Sequence, residues 1–185
     1  MPLQQTLIIA TLVVLAISVG CWSYKTDLNV SRQTTIERKV ADFFSYNANI
    51  RDFNESGQLT LDLTVDSISH FPHNEITQLS NPDLWNYSGH TPWRTVAGTG
   101  RLLPDGETIE LKKNVVMTQV EDGVQKLRMN TDFLTLYSGQ DSADTHWPVT
   151  IISQNSVVTA NGMTLFYKQA LIHLKSRVRG SYEAH

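Results

Sequence analysis

Apolar and polar residues alternate with a period of two over long stretches of this chain, and no other feature constrains the fold as much. The clearest example is QLTLDLTV at 58–65, where Leu and Val occupy one parity and polar residues the other. Successive side chains of a β-strand point to opposite faces, so this pattern predicts a strand with one buried face. Residues 54–57 predict a turn before it, because Gly57 can adopt positive φ without a steric penalty.

Turn signals recur along the chain and separate further strand-like runs. They lie at 104–106, at 121–123 and at Asn161 and Gly162, where an Asn-Gly pair predicts a hairpin. The runs between them are rich in β-branched and aromatic residues, and strands do not alternate with helices. The sequence therefore predicts an all-β fold, an antiparallel meander arranged as a barrel, sandwich or roll.

The run at 172–183 predicts a final strand with two chemically different faces. One parity carries apolar side chains, namely Ile172, Leu174, Val178 and Tyr182. The other parity is largely basic and carries His173, Lys175, Arg177, Arg179, Ser181 and Glu183. A helix would mix the two sets, because residues three and four apart share a helical face. We expect an edge strand, whose free N–H and C=O groups can pair with another chain.

The stretch at 6–22 carries no charge, and as a helix it would extend roughly 26 Å, enough to cross a bilayer. Trp22 and Tyr24 would lie at one membrane interface. We therefore predict a tail at 1–5 and a transmembrane helix at 6–24. The alternative is a cleavable signal peptide, but MPLQQ has no basic residue and no small-x-small cleavage site follows.

The polar stretch at 25–34 predicts a linker, followed by one domain at 35–185. Counting basic residues around the apolar segment would place this domain in the cytoplasm, since all of them follow the segment. Those residues are Lys25, Arg32, Arg38 and Lys39. The family resemblance described below implies the opposite orientation.

Charge and cysteine content narrow the function. The net charge of −3 provides no broad basic surface, which argues against nucleic acid as a partner. The single cysteine, Cys21, allows neither an internal disulfide nor a thiolate metal cluster. His70 and His73 have H-x-x-H spacing, but Pro72 between them disfavours a regular helix. We therefore predict no metal site and no cofactor.

No catalytic arrangement emerges from the sequence. Ser142, Asp144 and His146 are close in sequence, yet a triad is defined by geometry, and the chain has no G-x-S-x-G elbow. We interpret these residues as polar groups of a loop. The sequence predicts a protein that is not an enzyme, and an anchored periplasmic enzyme is the weakest of the alternatives.

Several segments together resemble the LptC family. They are the N-terminal apolar stretch, FNESGQLTLDLTVDSISHFP, PWRTVAGTGRLLPDGETIELKKNVVMTQV, VQKLRMNTDFLTLY and LKSRVRGSYE. The resemblance implies a single-pass inner-membrane protein with a twisted, antiparallel, jellyroll-like (OstA-type) periplasmic domain. It also implies that the domain receives lipopolysaccharide from an inner-membrane ABC transporter, which it contacts through its anchor and N-terminal edge. The lipid then passes to the periplasmic bridge protein LptA, which docks on the C-terminal edge strand.

The resemblance and the alternation together suggest site residues. Gly57 matches the family's turn glycine, and Tyr182 matches a tyrosine that faces the lipid groove. The candidate lipid-binding residues are Leu59, Leu61, Leu63, Leu134, Leu136, Ile172, Val178 and Tyr182. The candidate docking edge comprises Leu174, Lys175, Arg177, Arg179, Ser181 and Glu183.

Two alternatives stay open at this point. The same aliphatic residues could form a closed core, in which case the protein would be a membrane-tethered adaptor that binds partners through its edge strand without carrying lipid. The basic face of the last strand could contact lipid phosphates or only discourage unwanted strand pairing.

Overall fold

Eleven antiparallel strands and one short 3-10 turn make up the computed structural model, which describes residues 40–182. The strands are β1 (Phe43–Phe53), β2 (Leu59–Phe71), β3 (Ile76–Ser80), β4 (Asp83–Asn86), β5 (Trp93–Val96), β6 (Thr99–Leu102), β7 (Thr108–Glu121), β8 (Val124–Tyr137), β9 (Ser142–Ser153), β10 (Ser156–Phe166) and β11 (Leu171–Tyr182). The 3-10 turn spans Ser138–Gln140. The prediction of an all-β antiparallel fold is confirmed.

The predicted transmembrane helix at 6–24 and the linker at 25–34 lie outside the described residues, as does Glu183. Between residues 40 and 182, the structure contains no helix with the length and apolar character needed to cross a bilayer.

Local sequence explains the strands and their turns. In β2, Leu63 and Val65 are buried while Thr64 and Asp66 are exposed, as the alternation predicts. Gly57 in the turn before β2 has a φ of 74°. The turns at 104–106 and 121–123 join β6 to β7 and β7 to β8, and each contains a glycine with positive φ.

The strands form one branched sheet with two free edges. β2 pairs with β1 along one side, and its other side is shared between β4 and β3. One side of β7 is likewise shared, since β6 pairs with its first half and β5 with its second half. On the other side of β7, the sheet continues through β8, β9 and β10 to β11. Because β1 pairs only with β2 and β11 only with β10, these two strands are the edges. The prediction that the last strand is an edge strand is therefore confirmed.

A row of backbone irregularities crosses the sheet, and we call it the bend line. It comprises Asn47, Asn81, Gly98, Lys113, Asn114, Pro148, Gly162 and Arg177, together with the register shift between Asn130 and Thr135. Its members are neighbours across strands: Asn81 N–H donates to the Gly98 carbonyl at 3.1 Å, and Gly98 N–H donates to the Lys113 carbonyl at 2.9 Å. Bulges bend a strand and increase its twist, so the sheet folds here into two layers.

The hairpin expected at Asn161 and Gly162 is a bulge on the bend line instead. Both residues lie inside β10, and Gly162 uses its φ of 82° to bend the strand. Gly162 also lacks room for a side chain, since a Cβ would lie 3.0 Å from the Thr145 carbonyl oxygen. The hairpin forms earlier, at 154–155, where Ser153 pairs with Ser156.

The two layers enclose one hydrophobic core at the centre of the sheet. Side chains on both sides of the bend line contribute to it, and the most deeply buried are Leu111, Leu134, Ala143, Met163 and Leu165, each with 0% exposure. Met117 and Met129 face each other across β7 and β8 and are also buried. The centre of the domain is therefore a closed core.

Truncation of a central core residue tests this assignment. We expect Leu134→Ala to lower the free energy of unfolding by about 2–5 kcal/mol, because it removes buried methyl groups and leaves a cavity. The matched control is Val124→Ala on the same strand, which is exposed and should change stability by about 0.5 kcal/mol or less. Chemical denaturation of the full chain in detergent, followed by circular dichroism, measures both. Equal effects of the two variants would contradict a closed core at Leu134.

Candidate functional site

An apolar cavity of about 380 Å³ lies between the layers near the β1 edge. Its walls come from both sides of the bend line, and its lining is almost entirely apolar. The lining residues are Phe43, Ile50, Leu63, Ile68, His70, Thr77, Leu79, Leu102 and Ile109. Concave, mostly apolar pockets of this kind are the usual binding sites for small apolar ligands.

The cavity opens to solvent because β1 has no neighbour beyond it. Phe43 pairs with His70 and Ile50 pairs with Leu63, so both β1 side chains lie on the inner face of the sheet. They are nevertheless 55% and 44% exposed. The inner face of the sheet therefore ends in exposed apolar side chains at this edge.

The polar groups of the cavity are engaged with each other. The His70 Nδ1 atom lies 3.1 Å from the Thr77 hydroxyl, within hydrogen-bonding distance, and its Nε2 atom lies 3.6 Å from a Glu75 carboxylate oxygen. Because both imidazole nitrogens of His70 lie near partners, they leave few free polar groups facing the cavity. The cavity surface consequently favours hydrocarbon over a polar ligand.

The β11 edge repeats this arrangement at the other end of the sheet. Ile172 and Leu174 pair with the core residues Leu165 and Met163 and are half-buried. Further along, Gly180 pairs with Val158, which places Val178 and Tyr182 on the same inner face. Val178 is 52% exposed and Tyr182 is 72% exposed. The inner face is thus closed at the centre and open at both edges.

The structure distributes the eight candidate lipid-binding residues over three environments. Leu63, Leu134 and Leu136 are buried, and of these only Leu63 lines the cavity. Leu59, Leu61 and Ile172 are half-buried. Val178 and Tyr182 are exposed on the inner face of β11.

Sequence reasoning missed most of the cavity. The positive φ of Asn47 interrupts β1, so Phe43 and Ile50 share a face although their parity differs. Leu79 and Leu102 lie on β3 and β6, which have five and four residues. Strands this short carry too little alternation to be recognised. The signal that the sequence offered for this cavity was the group of aromatic and aliphatic residues at 43–50.

The interpretation of Ser142, Asp144 and His146 as loop residues is wrong, because all three lie in β9. The alternation is hidden there, since the buried parity includes the small residues Ala143 and Thr145. The strand then bends next to Trp147 at Pro148.

The outer face of β11 is tied to the sheet by an ion pair. Lys175 Nζ lies 2.7 and 2.9 Å from the two carboxylate oxygens of Asp144, across the intervening strand β10. The Thr164 hydroxyl donates to the same carboxylate at 2.6 Å. Burial acts to raise the pKa of Asp144, but the hydrogen bonds from Lys175 and Thr164 and the charge of Lys175 outweigh it, so the pKa lies below its usual range.

The fold defines the class of the protein. It is similar to the crystal structure of LptH from Pseudomonas aeruginosa, described as the LptA homologous periplasmic component of the conserved lipopolysaccharide transport device. The TM-score is 0.53 with 7% sequence identity, and the likeness covers 67% of this chain and 95% of that one. At this identity the likeness shows the fold alone, an antiparallel all-β architecture of the LptA type.

The family follows from the sequence. Residues 9–183 match the family model described as lipopolysaccharide-assembly, LptC-related, and the chain therefore belongs to the LptC family. Among curated protein sequences, none is similar enough to count as a match.

The Asp144 ion pair makes the stability of the β11 edge depend on pH. A carboxyl group whose pKa is lowered in the folded state stabilises the fold above its unfolded pKa of about 3.9, and this stabilisation is lost as the pH falls through the lower folded value. We expect Asp144→Asn to lower the free energy of unfolding by about 0.5–1 kcal/mol at pH 7. The difference from the unsubstituted protein should shrink below about pH 4.

Denaturant titrations of the full chain at several pH values measure this effect. The exposed residue Asp132 on β8 provides the matched control, Asp132→Asn. A difference between the unsubstituted protein and Asp144→Asn that does not change with pH would contradict the role of the ion pair.

Proposed function

We propose that this protein is a non-enzymatic carrier in lipopolysaccharide transport and that its apolar inner face binds the acyl chains. Membership of the LptC family and the LptA-type fold support a role in this process. The observation that carries the proposal is the apolar cavity beside β1, with Phe43 and Ile50 exposed on its inner face. Burial of acyl chains there would contribute about 0.8 kcal/mol per CH₂ group, without any nucleotide site in this chain.

The route proposed for the lipid runs between the two sheet edges. Lipopolysaccharide would arrive from an inner-membrane ABC transporter at the β1 edge, where the cavity lies. It would leave at β11, where Val178 and Tyr182 continue the inner face. The periplasmic bridge protein LptA would extend the sheet by pairing with β11, since a free edge accepts a further strand.

The N-terminal part of the proposal concerns membrane attachment. The uncharged stretch at 6–22 would anchor the chain in the inner membrane and contact the transporter, with the β domain in the periplasm. The family to which the chain belongs supports this orientation over the one given by counting basic residues.

A membrane-tethered adaptor that carries no lipid is the second candidate. The observation that favours it is the closed centre, where Leu134 and Leu136 are buried. An adaptor would need only the two free edges, β1 and β11.

Neighbouring aromatic residues at the start of β1 separate the two functions. Phe43 lies on the inner face and Phe44 on the outer face, and both are exposed. We expect a photoreactive residue at Phe43 to form lipopolysaccharide adducts in cells, and the same residue at Phe44 to form few or none. A second pair at the other edge, Tyr182 against Lys175, should behave in the same way.

Photocrosslinked species are identified with antibodies against lipopolysaccharide and against the protein. Adducts to protein alone at Phe43 and Tyr182 would contradict the carrier function and leave the adaptor. A probe at Leu61, half-buried on the inner face of β2, provides an additional position.

Docking at β11 is tested separately. A photoreactive residue at Arg179 on the outer face of β11 should capture LptA, because the neighbouring backbone groups lie at a free edge. The matched control is Lys126 on β8, a basic residue that is also exposed but whose strand is paired on both sides. Capture at Lys126 but not at Arg179 would place the partner elsewhere.

A further inference from the structure

The two layers meet a second time, away from the bend line, where loop 87–92 contacts turn 167–170. The loop joins β4 to β5, and the turn joins β10 to β11. Gly89 approaches the turn so closely that a Cβ at this position would lie 2.6 Å from the Tyr167 carbonyl oxygen. The rings of Trp93 and Tyr167 pack edge to face with centroids 6.4 Å apart, and both side chains are buried. We call this contact the seam.

The seam lies on the side opposite the bend line, where no strand runs from one layer into the other. At the bend line the long strands run from one layer into the other, so the layers cannot separate there. On the opposite side the strands end in turns. A surface cavity of about 410 Å³ lies beside the seam, and both layers line it, through Asn54, Gln58, Leu59, Thr60, Tyr87, Ser88, Asp141 and Lys168. The layers can therefore part only along the side that holds the seam.

Packing, and not hydrogen bonding, holds the seam together. Within the part of the chain that the structure describes, no hydrogen bond or ion pair joins loop 87–92 to turn 167–170. Each segment is instead bonded within its own layer. Tyr87 N–H donates to the Thr60 carbonyl at 2.9 Å, and Tyr167 N–H donates to the Asp141 carbonyl at 2.9 Å. Opening the seam would leave these bonds intact.

A buried hydroxyl group without a partner lies at the seam, and a second lies next to it on β5. Among residues 40–182, three buried side-chain polar atoms lack a hydrogen-bond partner, and two of them are Tyr167 Oη and Thr95 Oγ1. Thr95 is two residues from Trp93 on the same buried face of β5. A buried hydroxyl without a partner disfavours the state that buries it, because water or a ligand would satisfy the group on exposure. The closed seam is therefore not the best state for the Tyr167 hydroxyl.

We propose that the seam is a lateral gate, and that loop 87–92 moves away from turn 167–170 to admit the acyl chains of lipopolysaccharide sideways between the layers. This inference rests on the proposed carrier function. Side chains fill the interior between the β1 cavity and β11, so an acyl chain can cross it only if the layers part. An amphiphile that enters through the seam keeps its sugar head in water while its chains become buried.

The gate can be locked chemically. We would place cysteines at Ser88 and Lys168, which line the same cavity, in the full chain with Cys21→Ser so that no other thiol remains. A short bis-maleimide reagent then links the two positions. A photoreactive residue at Phe43 reports binding of purified lipopolysaccharide to the protein in detergent. The single variants Ser88→Cys and Lys168→Cys, treated with the same reagent, are the matched controls.

The outcomes separate the gate from the carrier. We expect the linked protein to give at least tenfold fewer lipopolysaccharide adducts than the unlinked double variant and the single-variant controls. Equal adducts in linked and unlinked protein would overturn the gate and leave the carrier function standing. If the protein with the photoreactive residue at position 43 but without the introduced cysteines forms no adducts, both proposals fail.

A glycine substitution tests the gate from the opposite direction. Gly89→Ala places a methyl group against the Tyr167 carbonyl and should push the seam apart. We expect a severalfold faster exchange of bound lipopolysaccharide, measured by the loss of a fluorescent lipopolysaccharide probe. The control Asp132→Asn, at an exposed position of β8 outside the seam, should leave the rate unchanged. An unchanged exchange rate in Gly89→Ala would contradict the gate.

Discussion

The bend line is the feature on which the remaining structure depends. Bulges and left-handed residues at the middle of the long strands fold one continuous sheet into two layers. The bend line decides which side chains face each other, so it creates the central core around Leu111 and Leu134. β1 and β11 lie at the two edges of the folded sheet, and each has one unpaired side. The open cavity and the closed core are therefore products of one backbone feature.

Closed and open regions of the same inner face serve different needs. The centre is packed with fully buried side chains and stabilises the domain, whereas apolar residues such as Phe43 and Val178 stay exposed at the edges. Exposed apolar groups on an inner face favour binding of an apolar ligand or of another domain. Regions that move for function are drawn from the less stable parts of a structure. The seam, where the Tyr167 hydroxyl is buried without a hydrogen-bond partner among residues 40–182, fits that description.

Outer-face interactions hold the short strands beside the seam. Arg94 forms two hydrogen bonds with Asp83, at 2.9 and 2.6 Å, and its guanidinium lies 5.6 Å from the Trp85 ring centroid. These contacts link β4 and β5, which have only four residues each. A rigid pair of strands under loop 87–92 would let the loop move without loss of pairing. The Asp144 to Lys175 ion pair fixes the β11 edge in a similar way.

The sequence by itself determined most of the long strands, most of the turns, the antiparallel all-β class, the family and the edge position of β11. These follow from alternation and turn glycines, which act over a few residues. Only the tertiary structure decided that Asn161 and Gly162 bend a strand, that Leu134 lies in a closed core, and that Phe43 lines a cavity. Alternation shows that a face is apolar, but whether that face is covered depends on which distant strand lies opposite. That choice is made at the bend line, between residues far apart in sequence.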